Sequence, residues 1–136
     1  MQPLNIDEAN RMLAAAIKKA KDMKIAPCTI AILDPRGDLI ALNRMDGALW
    51  RSVPISQGKA AASAYFDAPS GELTARWDTP VVRALAMSEQ GRLIPWQGAV
   101  PIKRADGILI GAIGVSGARS EEDEAVAKAG LATLNG

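Results

Sequence analysis

Apolar positions along this chain switch between helical and strand spacing, and each change of spacing predicts an element. Over residues 6–24, Ala9, Met12, Leu13, Ala16, Ile17 and Ala20 recur at i, i+3, i+4 and i+7 and line one face of a helix. Asn5 with Glu8 three residues later has the spacing of a capping box. Lys18, Lys19, Lys21 and Lys24 gather near the other end, where positive charge suits the helix dipole, and Pro27 blocks continuation.

Residues 28–45 read as a hairpin. Cys28 to Leu33 is a short apolar run rich in β-branched residues, Asp34-Pro35-Arg36-Gly37 is turn chemistry, and Leu39 to Met45 returns as the second strand. Residues 52–89 read as helix in pieces. Ser56 to Phe66 is dense in alanine, Ala68-Pro69-Ser70-Gly71 breaks it, and Glu72 to Trp77 is at best a short helix. Thr79-Pro80 then caps a helix to about Ser88. A second antiparallel pair follows within residues 92–117: Val100 to Lys103, a turn at Arg104-Ala105-Asp106-Gly107, and Ile108 to Ser116. Pro101 lacks an N–H and favours an edge or a bulge. Ser120 with Asp123 caps a last helix running to about Thr133, and Glu121, Glu122, Asp123 and Glu124 suit its first turn.

The order is α-β-β-α-α-α-β-β-α, with room for a further strand near Leu93. Hairpins in place of βαβ units predict an α+β domain over residues 1–136: an antiparallel sheet of about four to five strands with helices packed against it.

Composition narrows the chemistry. The chain has no histidine and one cysteine. This excludes a Ser-His-Asp triad, a Cys-His dyad, a His-ligated zinc site, an imidazole ligand to haem iron and an intrachain disulfide. A net charge of +1 argues against nucleic-acid binding. With 25 alanines against five aromatic residues, the core must be aliphatic and its helices close-packed. Met1 to Asn10 lacks signal-peptide character, and no run approaches the ~18 apolar residues of a membrane span. The expectation is a cytoplasmic protein.

Several positions carry candidate chemistry. Alternation along the last strand puts Ile108, Ile110, Ala112, Gly114 and Ser116 on one face, narrowing toward Ser116-Gly117, which suits close helix packing or a pocket floor. Arg44 and Asp46 leave the second strand together, as a carboxylate-binding fork or a loop-closing pair. Lys59 sits among alanines with Ser56 and Ser63 on its own helix face, as an anion-binding or basic amine or as a solvated lysine. Gly98 to Pro101 is a constrained turn into a strand whose N–H groups suit a pocket rim. Capping accounts for the acidic cluster, leaving no metal site. Cys28 reads as a small core residue. Trp50, Trp77 and Trp96 fall at loops or element ends, where each suits a pocket wall or an interface.

Taken in order, Ile32 to Leu39, Arg44 to Ala48, Lys59 to Phe66, Gly98 to Ile102, Asp106-Gly107 through Gly111 to Ala118, Glu122-Asp123-Glu124 and Ala127 to Gly130 resemble the GlcG/HbpS haem-binding family, which includes the C-terminal domain of PduO-type proteins. The resemblance implies the same α+β fold, self-association from dimers up to octamers, and haem as cofactor. Two departures stand out. No histidine ligand is available, so haem would use Cys28, a methionine, Tyr65, a lysine or no protein ligand. The usual Gly-Gly pair is Gly98-Ala99 here.

Three functions compete. In a tetrapyrrole-binding accessory protein, Arg44 and Lys59 would pair with propionates. In a cofactor-independent enzyme or binder of a small carboxylate-bearing metabolite, Lys59 or Asp46 would be the base, Arg44 the anchor, and Ser116 or the Gly98 loop would steady an oxyanion. The third is an oligomeric structural subunit. The candidate ligand-binding positions are Arg44, Ser56, Lys59, Gly98, Pro101, Ser116 and Gly117, with Lys59 and Asp46 as candidate catalytic residues.

Overall fold

Helix α1 (Ile6–Met23) begins at the capping box that its sequence predicts: the Glu8 N–H donates to Asn5 Oδ1 at 2.8 Å, and the Asn5 N–H donates to Glu8 Oε1 at 3.1 Å. The computed structural model describes residues 2–135. Lys24 closes α1 in the left-handed conformation, at φ 57°. The Glu8 carboxylate also accepts from Arg104 Nη2 at 2.9 Å, which ties the start of α1 to the second hairpin.

Strands β1 (Thr29–Leu33), β2 (Leu39–Arg44), β3 (Ala99–Lys103) and β4 (Leu109–Ser116) form one antiparallel sheet in the order β2-β1-β4-β3. The two hairpins dock through their central strands, Thr29 opposite Ser116 and Leu33 opposite Ala112. Pro101 therefore lies in an edge strand, where its missing N–H costs no ladder bond.

Helix α2 (Ser52–Phe66) covers one sheet face, and α1 with α4 (Ser120–Leu131) covers the other. Alternation in β1 sends Ile30 and Ile32 toward Met12, Leu13 and Val126, and Leu33 toward Ala60, Ala61 and Leu73. The α2 layer is thin because alanine and glycine meet there. A Cβ on Gly114 would stand 2.2 Å from the Ser56 carbonyl oxygen, so the strand requires glycine at this point. Helix α3 (Pro80–Ser88) starts at the Thr79 cap, whose hydroxyl accepts from the Val82 N–H at 3.3 Å, and has no buried residue. Short 3₁₀ turns span Ser70–Arg76 and Ala132–Asn135. Among the described residues, no helix is long and apolar enough to cross a membrane.

Three expectations are corrected, and the start of one expected helix is located. There is no strand near Leu93: this residue is buried in a loop, and the Ile94 N–H donates to the Gly58 carbonyl of α2 at 3.0 Å. The alternation from Ile108 to Ser116 breaks at a bulge. Ile102 pairs with Gly111 but Lys103 with Leu109, so Ile110 is the extra residue and joins Ile113 and Val115 on the α1/α4 side. Helix α2 begins at Ser52, four residues before the alanine-dense stretch, with Pro54 in its first turn, where a missing N–H is tolerated. Ser120 and Asp123 do not cap α4. Arg119 is the N-cap residue, its N–H donating to Glu122 Oε1 at 3.1 Å, and Asp123 turns inward.

Candidate functional site

The loops at one end of the sheet collect most of the chemistry. Ser116 ends β4, Gly117 and Ala118 lead into α4, Gly98 leads into β3, and Leu49 to Ser52 leads into α2. Beneath them lies Lys59, the largest fully buried side chain of the protein among the described residues. A helix with alanine at positions 60 to 62 leaves room for the long side chain to run inward. Its amine donates to the Val115 carbonyl at 3.0 Å and to Asp123 Oδ2 at 3.2 Å, and it stands 4.6 Å from the centre of the Trp96 ring. Gly98 completes the enclosure. Its φ of +146° suits glycine, and a Cβ there would stand 2.7 Å from the Lys59 amine.

Asp123 is held from the other side. Its Oδ1 accepts from the Ala118 N–H at 3.0 Å. Burial pushes the Asp123 carboxyl above its ordinary value, against the pull of Lys59 and of the Ala118 and Gly117 amides. Burial likewise lowers the proton affinity of Lys59, against the opposing attraction of Asp123. The attraction between the two groups opposes both shifts. Cys28 lies close by, its thiol pushed up to about 12 by burial and then by the Asp123 charge.

Above the pair opens a cleft of about 90 Å³ whose walls include Leu49, Ile55, Trp96, Ser116, Gly117 and Asp123. Ser56 and Ser63 share the Lys59 side of α2, and both are buried. Their hydroxyls are used locally, Ser56 donating to the Val53 carbonyl at 3.0 Å and Ser63 to the Ala68 carbonyl at 2.5 Å. Pro101 pairs with Ala112, farther along the sheet.

Arg44 and Asp46 are not brought to Lys59. Both are exposed, and Arg44 donates Nε and Nη2 to the Ala48 carbonyl at 3.1 and 2.7 Å, so that it closes its own loop through a carbonyl and not through Asp46. They line a different hollow, between α1 and the edge strand β2, together with Ile17, Lys21, Asn43 and Met45. Of the tryptophans, Trp50 is exposed, Trp77 packs edge-on against Phe66, and Trp96 is the one at the cleft.

Sequence reasoning missed Asp123 as a site residue, although its spacing carried a signal. Val126, Ala127 and Gly130 mark the inward face of α4, and Asp123 lies three, four and seven residues before them. An acidic residue on a buried face needs a cation, and Lys59 among its alanines needed an anion.

The chain resembles known proteins over nearly its whole length. Corrinoid adenosyltransferase PduO of Citrobacter freundii is 27% identical over 97% of this chain, which spans only 39% of that relative's length. The structure of the Klebsiella pneumoniae protein ORFY, of family DUF336, superposes with a TM-score of 0.88 at 28% identity, covering 99% of this chain and 92% of that one. A complex of PduOC with haem superposes with a TM-score of 0.87 at 27% identity, covering 98% and 96%. Residues 4–132 match the family described as haem degrading protein HbpS-like, and the chain belongs to that family.

Proposed function

We propose that this protein binds haem or a closely related tetrapyrrole. The observation that carries this reading is its likeness to PduOC, whose structure is a haem complex. The groove between α1 and β2 supports it. Two hollows of about 600 and about 310 Å³ share Ile17, Lys21 and Asn43, and so run together along α1 and β2. Their size is that of small-ligand and cofactor sites, ~300–1,000 Å³.

The residues present fit the group. Ala14, Ile17 and Met45 offer apolar surface to a ring, while Lys21 and Arg44 offer cations to its propionates; Lys18 is paired with Asp22 at 2.6 Å, and Asp46 lines the rim beside Arg44. Arg44 keeps Nη1 without a protein partner among the described residues. The chain has no imidazole, and the Met45 sulfur accepts from the buried Cys28 thiol at 3.7 Å, so the groove would hold the ring through apolar contact and its propionates. Bound haem would bring a redox-active iron. The chain's own residues would hold the ring, pair its propionates and set its orientation. Lys59, enclosed and paired with Asp123, stands outside this arrangement.

Titration of the purified protein with hemin tests the reading. A saturable Soret shift at one haem per chain is expected, with binding weakened about a hundredfold in a Lys21→Gln/Arg44→Gln double variant, the loss of two charge-assisted contacts. Absence of saturable binding would overturn the reading, and wild-type affinity in the double variant would move the ring off this groove. Self-association belongs to the same reading and is supported by α3, which has no buried residue and exposes Val81 and Met87. A monomer by light scattering at micromolar concentration would contradict it.

A further inference from the structure

The cleft at the end of the sheet holds groups that tetrapyrrole binding does not use. Ser116 is 6% exposed, and its hydroxyl makes no hydrogen bond to protein among the described residues. No fully enclosed side-chain polar atom among those residues lacks a partner, so this hydroxyl opens into the cleft it lines. Facing the cleft without a protein partner, this hydroxyl is free to exchange a hydrogen bond with whatever occupies the space. Asp123 lines the same space, and its carboxylate is paired from behind with Lys59 at 3.2 Å. Leu49, Ile55 and Trp96 form apolar walls, and the exposed Arg51 supplies a cation.

We infer that this cleft is a binding site for a small α-hydroxy carboxylate. The order of charges by depth sets the orientation. A carboxylate entering first would meet the buried Asp123 as a like charge, so the anionic end of the ligand must stay outward, at Arg51. The inward end must donate a hydrogen bond to Asp123 and exchange one with Ser116, which a hydroxyl does and a methyl group does not. The carbon skeleton lies against Leu49, Ile55 and the Trp96 ring. About 90 Å³ equals the liquid volume of about three waters, so the enclosed space takes the hydroxyl-bearing end of a two- or three-carbon ligand and leaves its carboxylate outside, at Arg51. This site shares no residue with the α1/β2 groove and stands whether or not haem binds there.

The test is a titration of the intact ¹⁵N-labelled chain with lactate, read at the Gly117 and Ala118 amides beside Asp123, with propionate and propane-1,2-diol as probes lacking the hydroxyl and the carboxylate. Lactate is expected to shift both amides saturably and each control probe to bind about tenfold more weakly, as for one lost charge-assisted hydrogen bond. Ser116→Ala and Arg51→Gln are each expected to weaken lactate by a similar factor. Arg51 is exposed, so its variant keeps the test open should the serine variant fail to fold. The proposal is overturned by amides unmoved at roughly 10 mM lactate, ten times a 1 mM dissociation constant. Equal binding of lactate and propionate, or wild-type affinity in Arg51→Gln, overturns it as well.

Discussion

The Lys59 ammonium lies 3.2 Å from the Asp123 carboxylate, and the two side chains are 0% and 2% exposed. The pair joins α2 to α4 across the end of the sheet, over 64 positions of sequence. Two ions taken out of water must recover their hydration through each other and through further hydrogen bonds. Here those are the Val115 carbonyl for the amine and the Ala118 amide for the carboxylate.

Lys59→Met or Asp123→Leu alone is expected to destabilise the fold by about 3–5 kcal/mol, because each leaves one buried charge unpaired. The double variant should cost clearly less than the sum of the two. Urea denaturation of the four proteins measures this, and additive costs would mean that the pair is not coupled.

Gly114→Ala should also be costly, at about 1–3 kcal/mol or more, the range for forcing atoms into a close-packed layer. The added methyl would meet the Ser56 carbonyl and the Ala60 amide, which are backbone and cannot swing aside. A thermal unfolding midpoint equal to that of the wild type would show that α2 can move off the sheet without cost.

Cys28 should resist alkylation in the folded protein. Its thiol is buried and pushed up to about 12, so thiolate is scarce at neutral pH. Iodoacetamide at pH 8, followed by mass spectrometry, should label the chain slowly without denaturant and readily in it. Equal rates would place the thiol within reach of solvent.

Stability should respond to acid through Glu8. The Arg104 hydrogen bonds hold its carboxyl below the ordinary 4.5, against a smaller push from burial. The folded chain therefore binds this proton less readily than the unfolded chain. The stability this contributes is present above 4.5 and is lost as pH falls through the lower folded value. Below pH 4.5 the unfolding midpoint of the wild type should fall more steeply than that of Glu8→Gln; parallel curves would remove Glu8 from the account.

Features set by neighbours in sequence were legible before the fold. The Asn5–Glu8 box, the Thr79 cap, the two hairpin turns and the apolar stripe from Ala9 to Ala20 each depend on residues a few positions apart. The same local rules misread Asp123, whose place in a first turn suits a capping role as well as a buried one. They also missed the Ile110 bulge, since strict alternation has no way to signal an extra residue. Lys59 stood out by its alanine neighbours, but the spacing could not say whether its amine faced water or a carboxylate.

The sequence by itself determined the α+β architecture, the antiparallel hairpins and the exclusion of every chemistry that needs an imidazole. Periodicity, caps and composition are properties of short stretches or of the whole count, and they need no fold to act. The tertiary structure decided which charged groups meet. It enclosed Lys59 with Asp123 and Trp96, left Arg44 and Asp46 outside on the groove between α1 and β2, and gave Ser116 a cleft to face. Those outcomes depend on docking two hairpins side by side and on how closely alanine and glycine let α2 approach the sheet, distances that arise only when the layers pack.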